Sequence, residues 1–389
     1  MRQPVYLDGF ATQPLAPEAK EAMLSAWTHP GNPGSPNGAG ERAAAIVAGG
    51  RAAVAELIGA GPGEITFTSG ATEANNLALT GVVHALRSRG GARSRLIISA
   101  IEHKSVLETA AALSREGVEV VHAPVDAGGR LDLSAFADLV DERLLLASVM
   151  LVNNETGAIQ PVAAAAALAH RAGGLFHTDA AQAVGKIPVD VQALDVDYLS
   201  VSAHKCFGPM GVGALYRAST AEAPRPLLHG GGQERGLRPG TEPVALIAGF
   251  GAAAVLALSD LTDGARLADR LLAIFLNRLA EGQLRHSRVT DGHQTVPGGA
   301  AISISGVDGD ALCAALAKSV AISTGSACMS GQLTTSHVLT AMGYSGEDAK
   351  QVVRIFFNRY LDEEQVVLAA DEFIAAAARC RLATGGLRQ

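Results

Sequence analysis

The chain has 389 residues, of which 48% are hydrophobic and 18% charged, enough apolar content to bury a large core with room for a second, smaller domain. A formal net charge of −7 leaves no basic footprint for nucleic acid, and alanine-rich runs such as 163–167 are too short, and too soon interrupted by His170 and Arg171, to span a bilayer. Met1-Arg2-Gln3-Pro4 opens no apolar segment of signal-peptide length, which points to the cytoplasm, and Cys206, Cys313, Cys328 and Cys380 form neither a disulfide framework nor metal-ligand pairs, so they are read as free thiols.

In chain order, the apolar runs at 64–68, 95–99, 118–121, 144–152, 175–178, 198–202 and 212–216 predict short buried strands. Stretches 75–88, 105–115 and 133–141 between them predict helices. Such alternation makes the fold class α/β, a mainly parallel sheet covered on both faces, with ligands bound beyond the carboxyl ends of the strands. After about Val255 the pattern changes to a long helix over 261–279, a break at Gly298-Gly299 and a mixed strand and helix segment. The large domain is therefore placed at 15–255, and a smaller α+β domain at 1–14 with 256–389.

The polar motifs fall where the strands end. Asp179 closes one hydrophobic strand, and Lys205, in Ser202-Ala203-His204-Lys205-Cys206-Phe207-Gly208-Pro209, follows the next. A carboxylate and a lysine so placed are the pair needed to hold pyridoxal 5'-phosphate, with the lysine as its Schiff base and the aspartate on its ring nitrogen. Ser69-Gly70-Ala71-Thr72 reads either as a phosphate cradle at a helix N-terminus, with the Thr72 hydroxyl as a further donor, or as a plain strand-to-helix connection. Asp179 has a second reading as a helix N-cap. His103, after another strand, is either structural or a ring-stacking proton carrier.

In order along the chain, Thr68-Ser69-Gly70-Ala71-Thr72-Glu73, Glu102-His103, Asn153-Asn154-Glu155-Thr156-Gly157, Asp179-Ala180-Ala181-Gln182, Ser202-Ala203-His204-Lys205, Gly230-Gly231-Gly232-Gln233-Glu234-Arg235 and Gly325-Ser326-Ala327-Cys328 closely resemble a cysteine desulfurase of the class V aminotransferase group. The resemblance runs from Tyr6 to Arg359. It implies fold type I, with a seven-stranded type of sheet, and a homodimer using pyridoxal phosphate on L-cysteine. It implies Lys205 as the Schiff-base lysine, Asp179 on the pyridine nitrogen and Gln182 on the ring hydroxyl. Thr72, Ser202 and His204, with Thr241 from the partner subunit, would hold the phosphate, and His103 would stack on the ring. Asn154 and Arg354 would fix the substrate carboxylate, for which a planar guanidinium is suited, with Asn32 also near the substrate. No metal is implied.

Small residues and glycines at 323–331 suggest a mobile loop carrying the Cys328 thiol. A buried cysteine is usually a small hydrophobe, the reading given to Cys206, Cys313 and Cys380. For Cys328 the resemblance implies a nucleophile: its thiolate takes the sulfur of cysteine as a persulfide and leaves alanine. Lys205 or His103 would take the alpha proton. The spacing from Cys328 to the helix expected at 337–342 resembles the subgroup with a long catalytic loop, which hands persulfide to an acceptor protein for iron-sulfur assembly, tRNA thiolation or DNA phosphorothioation. Gly9, Gln13 and Asn37 depart from the family pattern. Competing readings are an aminotransferase or kynureninase-like enzyme of the same fold, in which Cys328 is incidental, and a non-catalytic scaffold, against which Lys205 and Asp179 argue.

Overall fold

The computed structural model describes residues 3–90, 93–290, 294–325 and 335–385. Among them the strands are β1 (Val5–Tyr6), β2 (Ile65–Thr68), β3 (Arg95–Ser99), β4 (Glu119–Ala123), β5 (Leu144–Ser148), β6 (Leu175–Asp179), β7 (Tyr198–Ser202), β8 (Gly213–Arg217), β9 (His286–Arg288), β10 (Gly299–Ile304), β11 (Val320–Ala321) and β12 (Val352–Phe356). Seven of them form one sheet in the order β2-β8-β7-β6-β5-β3-β4. Only β8 runs against its neighbours, pairing antiparallel with both β2 and β7, so the carboxyl ends of the other six share one edge.

The continuous apolar runs follow from burial on both faces. Every residue of β3, β5 and β7 is buried. Alternate side chains go to opposite layers: Ile97, Leu199, Val201, Ala214 and Tyr216 pack into one core, while Leu96, Ile98, Tyr198 and Leu215 pack into the other. The first layer takes its helical partners from Gly38–Leu57, Val162–Arg171 and Val244–Ser259; the second takes them from Val82–Arg87 and Lys104–Arg115.

A second body of structure is built on the antiparallel order β12-β10-β9 and on β1, which pairs parallel with β11. Its core gathers Leu271, Phe275, Ile302, Val353, Phe357 and Phe373 from these strands and from the helices Leu261–Glu281 and Glu363–Gly385. Among the described residues no single helix is long and apolar enough to cross a membrane.

The expected strand over 144–152 stops at Ser148. Its remainder stays apolar because it is buried: Met150, Leu151 and Val152 are all under 5% exposed, and Val149 and Leu151 donate to the carbonyls of His177 and Asp179. The helix expected from Asn75 begins at Ala71 and continues through a π-helical turn, Leu77–Gly81, into Val82–Arg87. Asn37, a departure from the family pattern, caps the helix Gly38–Leu57 by accepting from Ala39 N and Gly40 N at 3.1 and 3.0 Å. Gly9 and Gln13 account for each other: Gln13 Nε2 donates to Gly9 O at 3.0 Å, and a Cβ at Gly9 would stand 2.6 Å from that same nitrogen.

Candidate active site

A cavity of about 450 Å³ opens at the shared carboxyl edge of the sheet. After β2 it is lined by Ser69, Gly70, Ala71 and Thr72; after β3 by His103; after β5 by Asn154; after β6 by Asp179 and Gln182; after β7 by Ser202, His204 and Lys205. Phe10 and Ala11, from the stretch after β1, and Arg354, on β12, also line it. A cavity of about 540 Å³ between Val5, Lys318, Tyr360 and Glu372 shares none of these strand ends.

The turn after β2 is held close to its neighbours. Gly70 has φ +150°, and a Cβ at Gly213 would stand 2.6 Å from Gly70 Cα, so both positions need glycine for the turn to lie against β8. Glu73 Oε2 accepts from Ser69 N at 2.7 Å and Glu73 Oε1 from Arg238 Nε at 2.9 Å. Burial pushes the Glu73 carboxyl up, but the bonds from Arg238 and Ser69 outweigh it and leave it below its usual range.

Asp179 is 5% exposed. Its carboxylate accepts from Asn75 Nδ2 at 2.7 Å and from Ala181 N at 2.9 Å, so the capping geometry and the cavity-lining position coexist in one residue. Asn75 also donates to Ser105 Oγ at 2.9 Å, and Ser105 Oγ lies 2.8 Å from His103 Nδ1. Because Nδ1 accepts from Ser105 N at 3.1 Å, the neutral ring carries its proton on Nε2. Burial lowers the His103 pKa; Asp179 opposes this, and Lys205 adds to it.

Beside it Glu102 is fully buried, with Oε1 accepting from Met150 N at 2.6 Å and Oε2 unpartnered. Burial, then the Asp179 charge, push its pKa well above the ordinary value.

Lys205 Nζ donates to the carbonyls of Phe10 and Ala11 at 2.5 and 2.7 Å. Gln182 Nε2 donates to the same Phe10 carbonyl at 2.8 Å, while Gln182 Oε1 accepts from Lys186 Nζ at 2.9 Å. Lys186 is buried, and burial first, then Lys205, bring its pKa down to about 7. His204 Nδ1 meets Thr12 Oγ1 at 3.0 Å, and burial pulls its pKa to about 4. Arg354, 3% exposed, donates through Nε to Ser323 Oγ at 2.8 Å and through Nη1 to Asn154 O at 3.1 Å, with Asp8 Oδ1 3.6 Å from Nη2.

Nine of the residues singled out by sequence therefore share one cavity: Thr72, His103, Asn154, Asp179, Gln182, Ser202, His204, Lys205 and Arg354. Thr241 is exposed and does not line it. Asn32 is exposed too, its Oδ1 accepting from Gly34 N at 3.0 Å in a local turn. Cys328 lies outside the described residues. Cys206 is buried with Sγ on Ala203 O at 3.3 Å, and burial pushes its thiol up to about 12, as it does that of Cys313.

Sequence reasoning missed Asn75 and Ser105 as the supports of Asp179 and His103, Glu102 as a fully buried carboxyl beside the site, and the Arg51 to Glu234 pair. Glu234, with a side chain 2% exposed, takes both Arg51 guanidinium nitrogens at 2.8 and 2.7 Å and Phe67 N at 3.0 Å. This anchors the 230–241 loop to β2. Glu234 and Arg235 adopt φ 48° and 57°, and Arg235 Nη2 donates to Ile65 O at 2.6 Å.

Residues 5–368 match aminotransferase class-V as a family. Over 382 residues the chain is 42% identical to a Drosophila melanogaster protein named cysteine desulfurase, mitochondrial, covering 97% of this chain and 82% of that one. A solved structure titled NifS-like protein superposes with a TM-score of 0.89 at 34% identity, covering 97% of this chain and 100% of the other. Another, titled SspA in complex with cysteine, gives 0.80 at 33% identity, covering 91% and 99%.

Proposed function

Because the chain belongs to the cysteine desulfurases of the aminotransferase class-V family, we propose that this cavity takes the sulfur from L-cysteine, with pyridoxal phosphate as cofactor and Cys328 as the persulfide carrier. The observation that carries the reading is that Asp179 and Lys205 line one cavity beside a glycine-bearing turn. The residues fit the cofactor. The buried Asp179 carboxylate is hydrogen-bonded by the neutral Asn75 amide and Ala181 N–H, which leaves its charge to favour a protonated pyridine nitrogen. The Ser69 to Thr72 turn, with Ser202 and His204, suits the phosphate.

When bound, pyridoxal phosphate supplies an electron sink that weakens the carbon–sulfur bond of the substrate. Arg354 and Asn154 orient the substrate carboxylate, the buried guanidinium giving direction as well as charge. Lys205 would hold the cofactor, and its amine would take the alpha proton; His103, which lines the same cavity with Nδ1 engaged by Ser105, would stack on the ring. The Cys328 thiolate would attack the substrate sulfur: a sulfur–sulfur bond forms as the carbon–sulfur bond breaks, the β carbon takes a proton, the alpha proton is returned to the alpha carbon, and the product leaves as alanine.

Thr241 serves a second copy of the chain. Its loop is tied to the cradle by Glu73 and Arg238 and to β2 by Glu234, yet its side chain is exposed in one protomer. Trp27, Leu24, Met210 and Leu228 are all more than half exposed, which supplies apolar surface for a homodimer. Asn32 acts at the substrate entrance, the division at 15–255 against 1–14 with 256–389 separates the cofactor-binding part from the part carrying Cys328, a reducing cytoplasm suits a working thiol, and a protein accepts the sulfur.

The test is product analysis with the purified protein. L-cysteine should give alanine, not pyruvate, with extra sulfur on the Cys328 peptide by mass spectrometry. Amino transfer to a keto acid without sulfur release would favour an aminotransferase instead.

A further inference from the structure

Cys328 lies in the 326–334 segment, and the residues on either side of that segment meet the same carboxylate. On the downstream side Ser336 Oγ donates to Glu155 Oε2 at 2.5 Å. On the upstream side Gly325 packs so closely on Glu155 that a Cβ there would overlap Oε2 and stand 2.7 Å from Cδ. Glu155 is 6% exposed and Ser336 8%, so the contact is shielded from water.

Both partners of this contact are themselves fixed. Glu155 belongs to the 153–157 turn, in which Asn153 Oδ1 accepts from Glu155 N and Thr156 N, each at 2.9 Å, and Asn153 Nδ2 donates to Ile101 O at 3.0 Å. The next residue back, Asn154, lines the cavity and gives its carbonyl to Arg354. Upstream, Ser323 pairs with Arg354 on β12. Downstream, Ser336 caps the short helix His337–Ala341, and His337 Nε2 meets Glu102 O at 2.9 Å, next to His103.

We propose that Glu155 is a positioning residue for sulfur transfer: it ties Gly325 and Ser336, which flank the Cys328 segment in sequence, to the turn that carries Asn154. The proposal rests on the reading of Cys328 as the sulfur acceptor. A buried hydrogen bond from Ser336 and a close glycine contact at Gly325 fix both flanking residues to one carboxylate. Loss of this anchor should leave cofactor and cysteine binding intact and slow only the step that needs Cys328, since a misplacement of about 1 Å can cost a reaction roughly a hundredfold.

The experiment compares Glu155→Ala, Glu155→Gln, Ser336→Ala and Gly325→Ala in the holoenzyme by three readouts: the change in cofactor absorbance on mixing with L-cysteine, the rate at which sulfur appears on the Cys328 peptide, and the rate at which iodoacetamide alkylates Cys328 without substrate. Glu155→Ala and Ser336→Ala should keep the absorbance change within about twofold, slow sulfur loading by roughly tenfold or more, and alter the alkylation rate. Glu155→Gln keeps an acceptor for Ser336 and should recover most of the loading rate. Gly325→Ala should be harmful alone and add little in the Glu155→Ala background, because its clash is with the carboxylate that is then gone. Should Glu155→Ala fail to fold, Ser336→Ala carries the same test by removing the hydrogen bond from the other side.

Wild-type loading and alkylation rates in both Glu155→Ala and Ser336→Ala would overturn the proposal. A wild-type protein that loads no sulfur on Cys328 would instead overturn the reading of Cys328, and the alkylation rates with the Gly325 coupling would still decide whether Glu155 anchors the segment.

Discussion

Asn75 hands one amide hydrogen to Asp179 and the other to Ser105, and so joins the carboxylate behind the cofactor cavity to the histidine at its side. Asn75, Asp179 and Ser105 are each at most 9% exposed, so neither hydrogen bond from Asn75 can be replaced freely by water.

Asn75→Ala should therefore lower unfolding free energy by about 1–3 kcal/mol, the cost of leaving buried partners unsatisfied. It should also weaken retention of pyridoxal phosphate, because Asp179 loses the donor that orients it. Urea unfolding and a cofactor titration measure the two effects separately. Wild-type values in both would show that Asn75 does not support the site.

His177 makes stability depend on pH from within the sheet. Its Nδ1 and Nε2 meet Ser148 Oγ and Ser200 Oγ at 2.8 and 3.0 Å, and burial holds its pKa down at about 3. In the unfolded chain an imidazole titrates near ~6.5. Between those values the unfolded chain binds a proton that the folded chain refuses. Stability from this group is thus complete above the unfolded value and falls with pH below it, by about 1.4 kcal/mol per pH unit. His204, pulled to about 4, acts in the same direction. Urea unfolding on both sides of the unfolded value should show the loss, with a shallower slope in His177→Gln; equal slopes would contradict it.

Arg51→Met should leave the Glu234 carboxylate buried without its cation, at a cost of about 3–5 kcal/mol. Beyond stability, it removes the tie from the helix Gly38–Leu57 to the loop that carries Thr241, leaving only the contacts of Glu234 and Arg235 with β2 to hold it. Cofactor retention and dimer mass by light scattering should both fall. A variant that is merely less stable, with an intact dimer that keeps its cofactor, would confine Glu234 to a folding role.

The sheet was legible because strands buried on both faces write themselves as unbroken apolar runs, as at Leu144–Ser148. Its overrun to Val152 was not, because a buried loop is as apolar as a strand. Residues of the cavity wall were legible for a related reason: each motif follows a strand end, and the strand ends share an edge. Their supports were hidden by distance along the chain. Asn75 reaches Asp179 across 104 residues, Glu155 reaches Ser336 across 181, and Arg51 reaches Glu234 across 183. A single sequence carries no signal for such pairs. Thr241 and Asn32 received their roles from the resemblance alone, and neither lines the cavity.

Sulfur chemistry and cofactor chemistry can be separated by substitution. Cys328→Ser should keep the cofactor's visible absorption and its response to L-cysteine, yet lose nearly all alanine and sulfide production, because only a thiolate can accept sulfur as a persulfide. Lys205→Ala should lose that absorption as well. The other thiols give the contrast. Burial pushes Cys206 and Cys313 up to about 12, so neither supplies thiolate at neutral pH, and Cys380 lies on the C-terminal helix Glu363–Gly385, packed against the second core. Cys206→Ser, Cys313→Ser and Cys380→Ser should each desulfurate cysteine near the wild-type rate. Mass spectrometry should place the added sulfur on the Cys328 peptide alone. Sulfur on another cysteine, or normal turnover in Cys328→Ser, would move the nucleophile elsewhere while leaving the assignment of Lys205 and Asp179 standing.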